Sequence, residues 1–255
     1  MIDLKGKGAL IFGAKRVGRV IADRLAQERV NLAIGYRSSL VEAQTLHTLV
    51  AGRVERACLV QGDLAVEEDA ARVVSEARQQ LGGLHFVINL AAEFPFTPFD
   101  TLDGKAWDRA MGMAKGSYLL SIHAARALRQ NPGRTKGHII LFGDTSARNT
   151  PYRHYLPYLT SKAAIEFMTR ALAVELASDG ILVNAISPGP TMRPSDIPED
   201  EWLNDVVART TPLRRESSPE DMAEVVVALL RSESITGEGI RVDAGNHLAG
   251  PYELG

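Results

Sequence analysis

Residues 9–18 read Ala9-Leu10-Ile11-Phe12-Gly13-Ala14-Lys15-Arg16-Val17-Gly18, and their order decides the architecture. A short apolar run stops at a glycine, a basic turn follows, and a second glycine opens the amphipathic stretch that holds Val20, Ile21, Arg24 and Leu25. Consecutive apolar residues fit a strand buried on both faces, and the spacing that follows fits a helix. Outward from this unit the alternation repeats. Residues 31–34, 58–60, 86–88, 139–142, 181–186 and 240–242 are further brief apolar runs. Between them lie helix-period segments such as Ala70, Val73, Val74, Ala77 and Leu81, ended by Gly82-Gly83. Seven runs joined in this way predict an α/β protein with a doubly wound, mostly parallel seven-stranded sheet and helices on both faces. No composition break or repeat divides residues 1–255, so a single domain is expected over the whole chain. The stretch 188–219 holds six of the twelve prolines and reads as a surface excursion. In such folds ligands sit beyond the carboxyl ends of the strands, where this excursion would cover them. Trp202 and Val206, four apart, read as helix packing in preference to a substrate lid.

Composition narrows the function. The 255 residues are 45% hydrophobic and 24% charged, which excludes a disordered or disulfide-scaffold chain. Lys and Arg number 29 against 31 Asp and Glu, so charge argues for neither nucleic acid nor an anionic membrane as partner. A small-molecule substrate is expected. Cys58, the single cysteine, reads as a small buried hydrophobe in a reducing compartment. No apolar run approaches the roughly 20 residues of a membrane helix, and a cytoplasmic protein is expected. His47, His85, His123, His138, His154 and His247 show no metal spacing, so no metal is expected and each reads as a surface or turn residue. Glu67-Glu68-Asp69 reads as a first-turn acid cluster favoured by the helix dipole.

The first turn has the chemistry of a phosphate loop. Gly13 lets backbone approach a pyrophosphate, and Gly18 opens a helix whose N-terminus offers free N–H groups and the positive dipole end. The second strand ends in Gly35-Tyr36-Arg37-Ser38-Ser39, with no acid before Glu42. An acid there would take the ribose hydroxyls of NAD; Arg37 with Ser38 suits a 2′-phosphate instead, because a guanidinium makes charge-assisted contacts to phosphate oxygens. NADPH/NADP is therefore the expected cofactor. In Gly62-Asp63-Leu64, Asp63 serves either an adenine amino group or the N-cap of a helix starting near Val66.

Tyr158-Leu159-Thr160-Ser161-Lys162 opens a helical stretch after the fifth strand, so Tyr158 and Lys162 project from one face at the carboxyl edge of the sheet. A phenol beside an ammonium is expected to have a lowered pKa and to exchange a proton with a carbonyl oxygen.

With the glycine turn, Asp63-Leu64, Asn89-Leu90-Ala91-Ala92, the Tyr158 to Lys162 pair and Ser187-Pro188-Gly189 all in order, the chain resembles the classical short-chain dehydrogenases/reductases over nearly its whole length. Arg16, Tyr36-Arg37-Ser38-Ser39 and Asn89-Leu90-Ala91-Ala92-Glu93-Phe94 are most similar to the pteridine-reductase branch and its bacterial relatives. The resemblance implies a Rossmann-type fold and an NADPH-dependent oxidoreductase that transfers hydride to a C=O or C=N substrate. Tyr158 is then the proton donor, and Lys162 binds the nicotinamide ribose. Gly13, Arg16, Gly18, Arg37, Ser38, Asp63, Leu64, Asn89, Ala91, Pro188, Gly189 and Thr191 line the cofactor, and Phe94 holds a pterin-like ring against the nicotinamide. The third catalytic position falls on Asp144 or Thr145, with Asp144 favoured through a one-residue insertion between Arg148 and Tyr155. The resemblance also implies a homotetramer. Three departures stand out: a shortened glycine turn, Phe12 in place of the usual Thr, and Ala114 where many members carry a relay Asn. The shortened turn and Ala114 keep a catalytically weak NADP(H)-binding scaffold as the alternative, and variable substrate loops keep a ketone or 3-oxoacyl reductase as a second.

Overall fold

Side chains of the first strand, β1 (Gly8–Phe12), alternate between two cores: Leu10 and Phe12 enter one, Ala9 and Ile11 the other. Such a strand is stable only with helices over both faces. The structure, a computed structural model describing residues 1–13, 15–193 and 197–249, has this layering. After β1 come α1 (Val17–Gln27), β2 (Asn31–Tyr36), α2 (Leu40–Ala51), β3 (Ala57–Gln61), α3 (Glu67–Leu81), β4 (Phe86–Asn89) and α4 (Gly104–Leu128). Then follow β5 (Gly137–Phe142), α5 (Leu156–Glu175), β6 (Ile181–Pro188), a helical excursion, α6 (Pro219–Arg231) and β7 (Gly239–Val242). Helices α3, α4 and α5 cover one face, while α1, α2 and α6 cover the other.

The strands form one parallel sheet in the order β3-β2-β1-β4-β5-β6-β7. All seven predicted strands are present. The order reverses between β1 and β4, and there the loops at the carboxyl ends diverge and leave a crevice. Helix termini follow local chemistry. Asp103 caps α4 by accepting from the Ala106 N–H at 2.8 Å, and Ser218 caps α6 from the Asp221 N–H at 3.1 Å with Pro219 behind it. The acidic cluster does occupy the first turn of α3, which ends at Gly82 with φ 73°.

Three expectations change here. His138 lies inside β5, fully buried, with neither ring nitrogen hydrogen-bonded among the described residues. Burial pushes its pKa down to about 4, so it packs against Phe86 as a neutral ring. Asp63 is not a helix cap: α3 starts at Glu67 behind Val66, and the Asp63 carboxylate accepts from the Ala65 N–H within its own turn. In the excursion, residues 202–207 wind as a π-helix, so Trp202 and Val207, five apart, are the buried pair instead of Trp202 and Val206. Ala14 and residues 194–196, within the glycine turn and the excursion, lie outside the described residues. Among the described residues no helix is long and apolar enough to cross a membrane, and no cluster of His, Cys, Asp and Glu could hold a metal.

Candidate active site

The crevice between β1 and β4 begins with backbone pairing. Phe12 and Asn89 are register partners, and the Leu90 N–H donates to the Phe12 carbonyl at 2.8 Å. Gly13 follows with φ 113°, and a Cβ there would come within 3.1 Å of the Leu90 carbonyl carbon. A Cβ on Gly18 would sit 1.8 Å from the Gly13 oxygen. Only glycine fits either place, because the chain packs there against the loop after β4 and against itself; it leads into the α1 N-terminus, the expected cradle of a pyrophosphate.

Around this cradle the predicted cofactor residues are held by the protein itself. Arg16 reaches across to donate to the carbonyls of Thr191, at 2.9 Å, and Met192. Thr191 donates its hydroxyl to the Gly189 carbonyl at 3.0 Å, and Gly189, next to Pro188, is tied by its N–H to Val242 at 3.3 Å. The Asn89 side chain accepts from the Ala91 N–H at 3.1 Å and donates to Ser117 Oγ at 3.0 Å, which fixes the loop after β4. Arg37 stands exposed beside exposed Ser38 and is 2.6 Å from Glu93 and 3.9 Å from Asp63. Arg109 holds the other oxygen of Glu93. Burial would raise the Glu93 pKa, but the two guanidiniums outweigh it and hold the carboxyl below its ordinary range. The Leu64 side chain is buried in the core and packs against Gly116.

The polar cluster on α5 is built more tightly. Tyr158 Oη donates to Asp144 Oδ2 at 3.0 Å, and Tyr152 Oη donates to the same oxygen at 3.3 Å. Asp144 Oδ1 in turn accepts from the Ser146 N–H at 2.8 Å. Lys162, buried, donates to the Phe142 carbonyl at 2.7 Å and lies 5.7 Å from the centre of the Tyr158 ring. Between the two expected third positions the geometry separates cleanly. Thr145 is turned away, with its hydroxyl donating to buried Asp243 at 2.8 Å in a network that includes His247, so the Tyr158 hydroxyl meets Asp144 and not Thr145. A 3₁₀ turn at Thr145–Ala147 causes this, since it swings successive side chains to different sides.

The expected lowering of the Tyr158 pKa is reversed. Burial dominates and the adjoining Asp144 carboxylate adds to it, so the phenol is pushed well above its ordinary value. The ammonium is too remote to compensate: burial brings Lys162 itself down to about 8, against the pull of Asp144 and Glu166. Burial also raises Asp144, although its hydrogen bonds and Lys162 oppose this. At neutral pH the cluster therefore presents a neutral phenol with a proton to give.

Phe94 stacks on Tyr155, centroids 4.2 Å apart and planes at 18°, and meets Tyr158 edge-on at 4.9 Å. It is thus part of an aromatic wall over the proton donor, still 47% exposed on its free side. Tyr152 and Tyr155 were not foreseen as site residues. Their signal was the three-residue spacing Tyr152, Tyr155, Tyr158, which brings one phenol after another round the start of α5. Glu93, the partner of Arg37, gave no signal, because the pairing joins loops 56 residues apart.

A family model described as enoyl-(acyl carrier protein) reductase matches residues 13–247. The chain is 31% identical over 258 residues to a short-chain type dehydrogenase/reductase of Picea abies, covering 95% of this chain and 93% of the relative. It is 29% identical over 263 residues to the hydroxynaphthalene reductase-like protein Arp2 of Metarhizium guizhouense, covering 96% of both. It superposes on the crystal structure of FolM alternative dihydrofolate reductase 1 from Brucella canis, complexed with NADP, with a TM-score of 0.86 and 29% identity over 98% of each chain. These likenesses, with the doubly wound sheet, define an oxidoreductase on a dinucleotide-binding fold. The chain belongs to the short-chain dehydrogenase/reductase family.

Proposed function

We propose that this protein is an NADPH-dependent reductase of a flat, conjugated bicyclic substrate such as a pterin or a related ring. The observation that carries the reading is the Tyr158 hydroxyl, which donates to Asp144 while Phe94 meets the phenol ring edge-on. NADPH fits the glycine cradle and Arg37, and when bound it supplies the hydride. The chain's own residues do the rest. In this reading Lys162 would hold the nicotinamide ribose, and Arg37 with Ser38 would meet the 2′-phosphate. Phe94 offers its exposed face to the substrate ring, where offset stacking contributes about 0.5–1.5 kcal/mol beyond area burial. As hydride reaches the C=O or C=N carbon, the Tyr158 O–H bond breaks and its proton goes to the oxygen or nitrogen, giving the alcohol or amine. The relatives support this choice of ring, since a dihydrofolate reductase and a hydroxynaphthalene reductase-like protein are named for bicyclic systems. Trp107, Tyr118, Phe167 and Val174, exposed on α4 and α5, support association with further copies of this chain, and the family resemblance implies four of them. Buried, unpaired Cys58 fits a cytoplasmic setting.

The test is a turnover comparison of dihydrobiopterin, dihydrofolate, a small quinone and an aliphatic ketoester, with NADPH and NADH. Wild type should favour a bicyclic substrate with NADPH, and Phe94→Ala should lose that preference. An aliphatic preference that Phe94→Ala leaves intact removes the stacked ring and leaves a ketone reductase.

A further inference from the structure

We propose that Tyr152 is a proton-relay residue, reconnecting the buried Tyr158 hydroxyl to solvent through Asp144. The inference rests on the reductase reading above for its purpose, but its geometry is independent of any substrate.

Two phenols share one acceptor. Tyr158 and Tyr152 both donate to Asp144 Oδ2, at 3.0 and 3.3 Å. Their surroundings differ: Tyr158 is 7% exposed, whereas Tyr152 is 36% exposed. Tyr152 also lines a cavity of about 490 Å³ with Phe99, Ala147, Pro151, His154 and Leu159, and Tyr158, Phe94 and Asp144 are not among its lining residues. A bound substrate closes the face of Tyr158 that looks into the crevice. The proton lost to the substrate must then return from behind, and on α4 the buried Ala114 has no hydrogen-bonding side chain to carry it. The path through Asp144 is the one the hydrogen bonds draw.

The transfer balances without any electron moving. The Tyr152 O–H bond breaks and its proton passes to Asp144 Oδ2. Asp144 passes a proton from the same oxygen to the Tyr158 phenolate, whose O–H bond forms. Tyr152 recovers a proton from water in the cavity, so one solvent proton enters per turnover. Lys162 on α5 and the Ser146 N–H face Asp144 from the other directions, and Tyr155 and Phe94 flank Tyr152. Neither Lys162 nor Ser146 opens to the cavity. Burial raises the Asp144 carboxyl, and burial with Asp144 raises the Tyr152 phenol further, so the shuttled proton rests on Asp144 only in passing.

The direct measurement is exchange of the Tyr158 hydroxyl proton with solvent, read by NMR of the phenol carbon in protein with and without NADP⁺. Tyr152→Phe should slow this exchange about tenfold or more. Tyr152→His, which restores a transferable proton, should bring it back to within a few fold of wild type. Unchanged or faster exchange in Tyr152→Phe overturns the relay, since loosened packing alone would speed it. Under turnover the same Phe variant should lower kcat about tenfold with KM within twofold, and added imidazole should restore kcat in proportion to its concentration. A raised KM without imidazole rescue overturns the relay in favour of a structural role. If wild type turned over no substrate, the reductase reading would fail, and the exchange measurement would still decide the relay.

Discussion

The two sides of the crevice are held by different kinds of bond. On the side of the glycine turn, Arg37, Glu93, Arg109 and Asp63 are tied by ion pairs in which the Arg37 and Arg109 side chains are 55% and 63% exposed. On the α5 side, Tyr158 donates to Asp144, Asp144 accepts from the Ser146 N–H, and Lys162 donates to the Phe142 carbonyl, with Tyr158 and Lys162 buried. Exposed pairs are worth little and exchange partners readily, whereas buried ones are costly to break. The contrast suits the two tasks. A cofactor's phosphate must be able to displace Glu93 from Arg37, while a proton donor must already stand in place when substrate arrives.

The sharpest way to break this contrast is Tyr158→Phe, which deletes one hydroxyl from the rigid side. Turnover should fall about 10²- to 10⁴-fold, the usual worth of a positioned general acid, with the NADPH Kd changed only a few fold. Wild-type rates in this variant would remove Tyr158 as donor.

Lys162→Met probes the same side through stability. The Lys162 pKa is about 8 against an ordinary 10.5, so the folded protein holds the charged form at a disadvantage. Between pH 8 and 10.5 the unfolded chain binds more protons at this group than the native one, and the Lys162 contribution to stability therefore rises with pH. Below pH 8 both states are charged and the penalty, about 3 kcal/mol, stands in full. Denaturant titrations of wild type minus Lys162→Met should show that rise; a flat difference would mean the ammonium is hydrated after all.

On the adaptable side, Arg37→Asp should abolish a preference for NADPH over NADH of roughly ten- to hundredfold, the worth of a charge-assisted contact of about 1.5–3 kcal/mol. Fluorescence titrations of both cofactors measure it, and equal affinities in wild type would sink the assignment. The smallest effect is expected from Glu93→Gln, which frees Arg37 from its competing carboxylate. NADPH should bind about two- to fivefold tighter, and the gain should shrink as salt rises through the screening range. A salt-independent change would show that Glu93 acts by shape and not by charge.

Much of this was legible along the chain. The inner strands announced themselves because full burial demands a continuous apolar run, and Tyr158 with Lys162 because a helix puts residues four apart on one face; the edge strands β3 and β7 are only partly buried. The choice between Asp144 and Thr145 was not legible, since a 3₁₀ turn of three residues decides which side chain meets the phenol. Nor was the direction of the Tyr158 shift: counting neighbours favoured the ammonium, but distance and desolvation gave the larger effect to burial and Asp144. His138 misled for a related reason, as a polar residue in a buried strand looks like a strand end until its neighbours are known.

By itself, then, the order of residues determined the parallel doubly wound sheet, the glycine cradle at its crossing point and the helix carrying Tyr158 and Lys162, because periodicity and glycine sterics act over a few residues. Only the tertiary structure decided that Arg37 is held by Glu93, that Thr145 belongs to Asp243, and that two tyrosines share one carboxylate oxygen. Those pairings join different loops, and their strength depends on how much water the packing leaves around them, a quantity that no local pattern encodes.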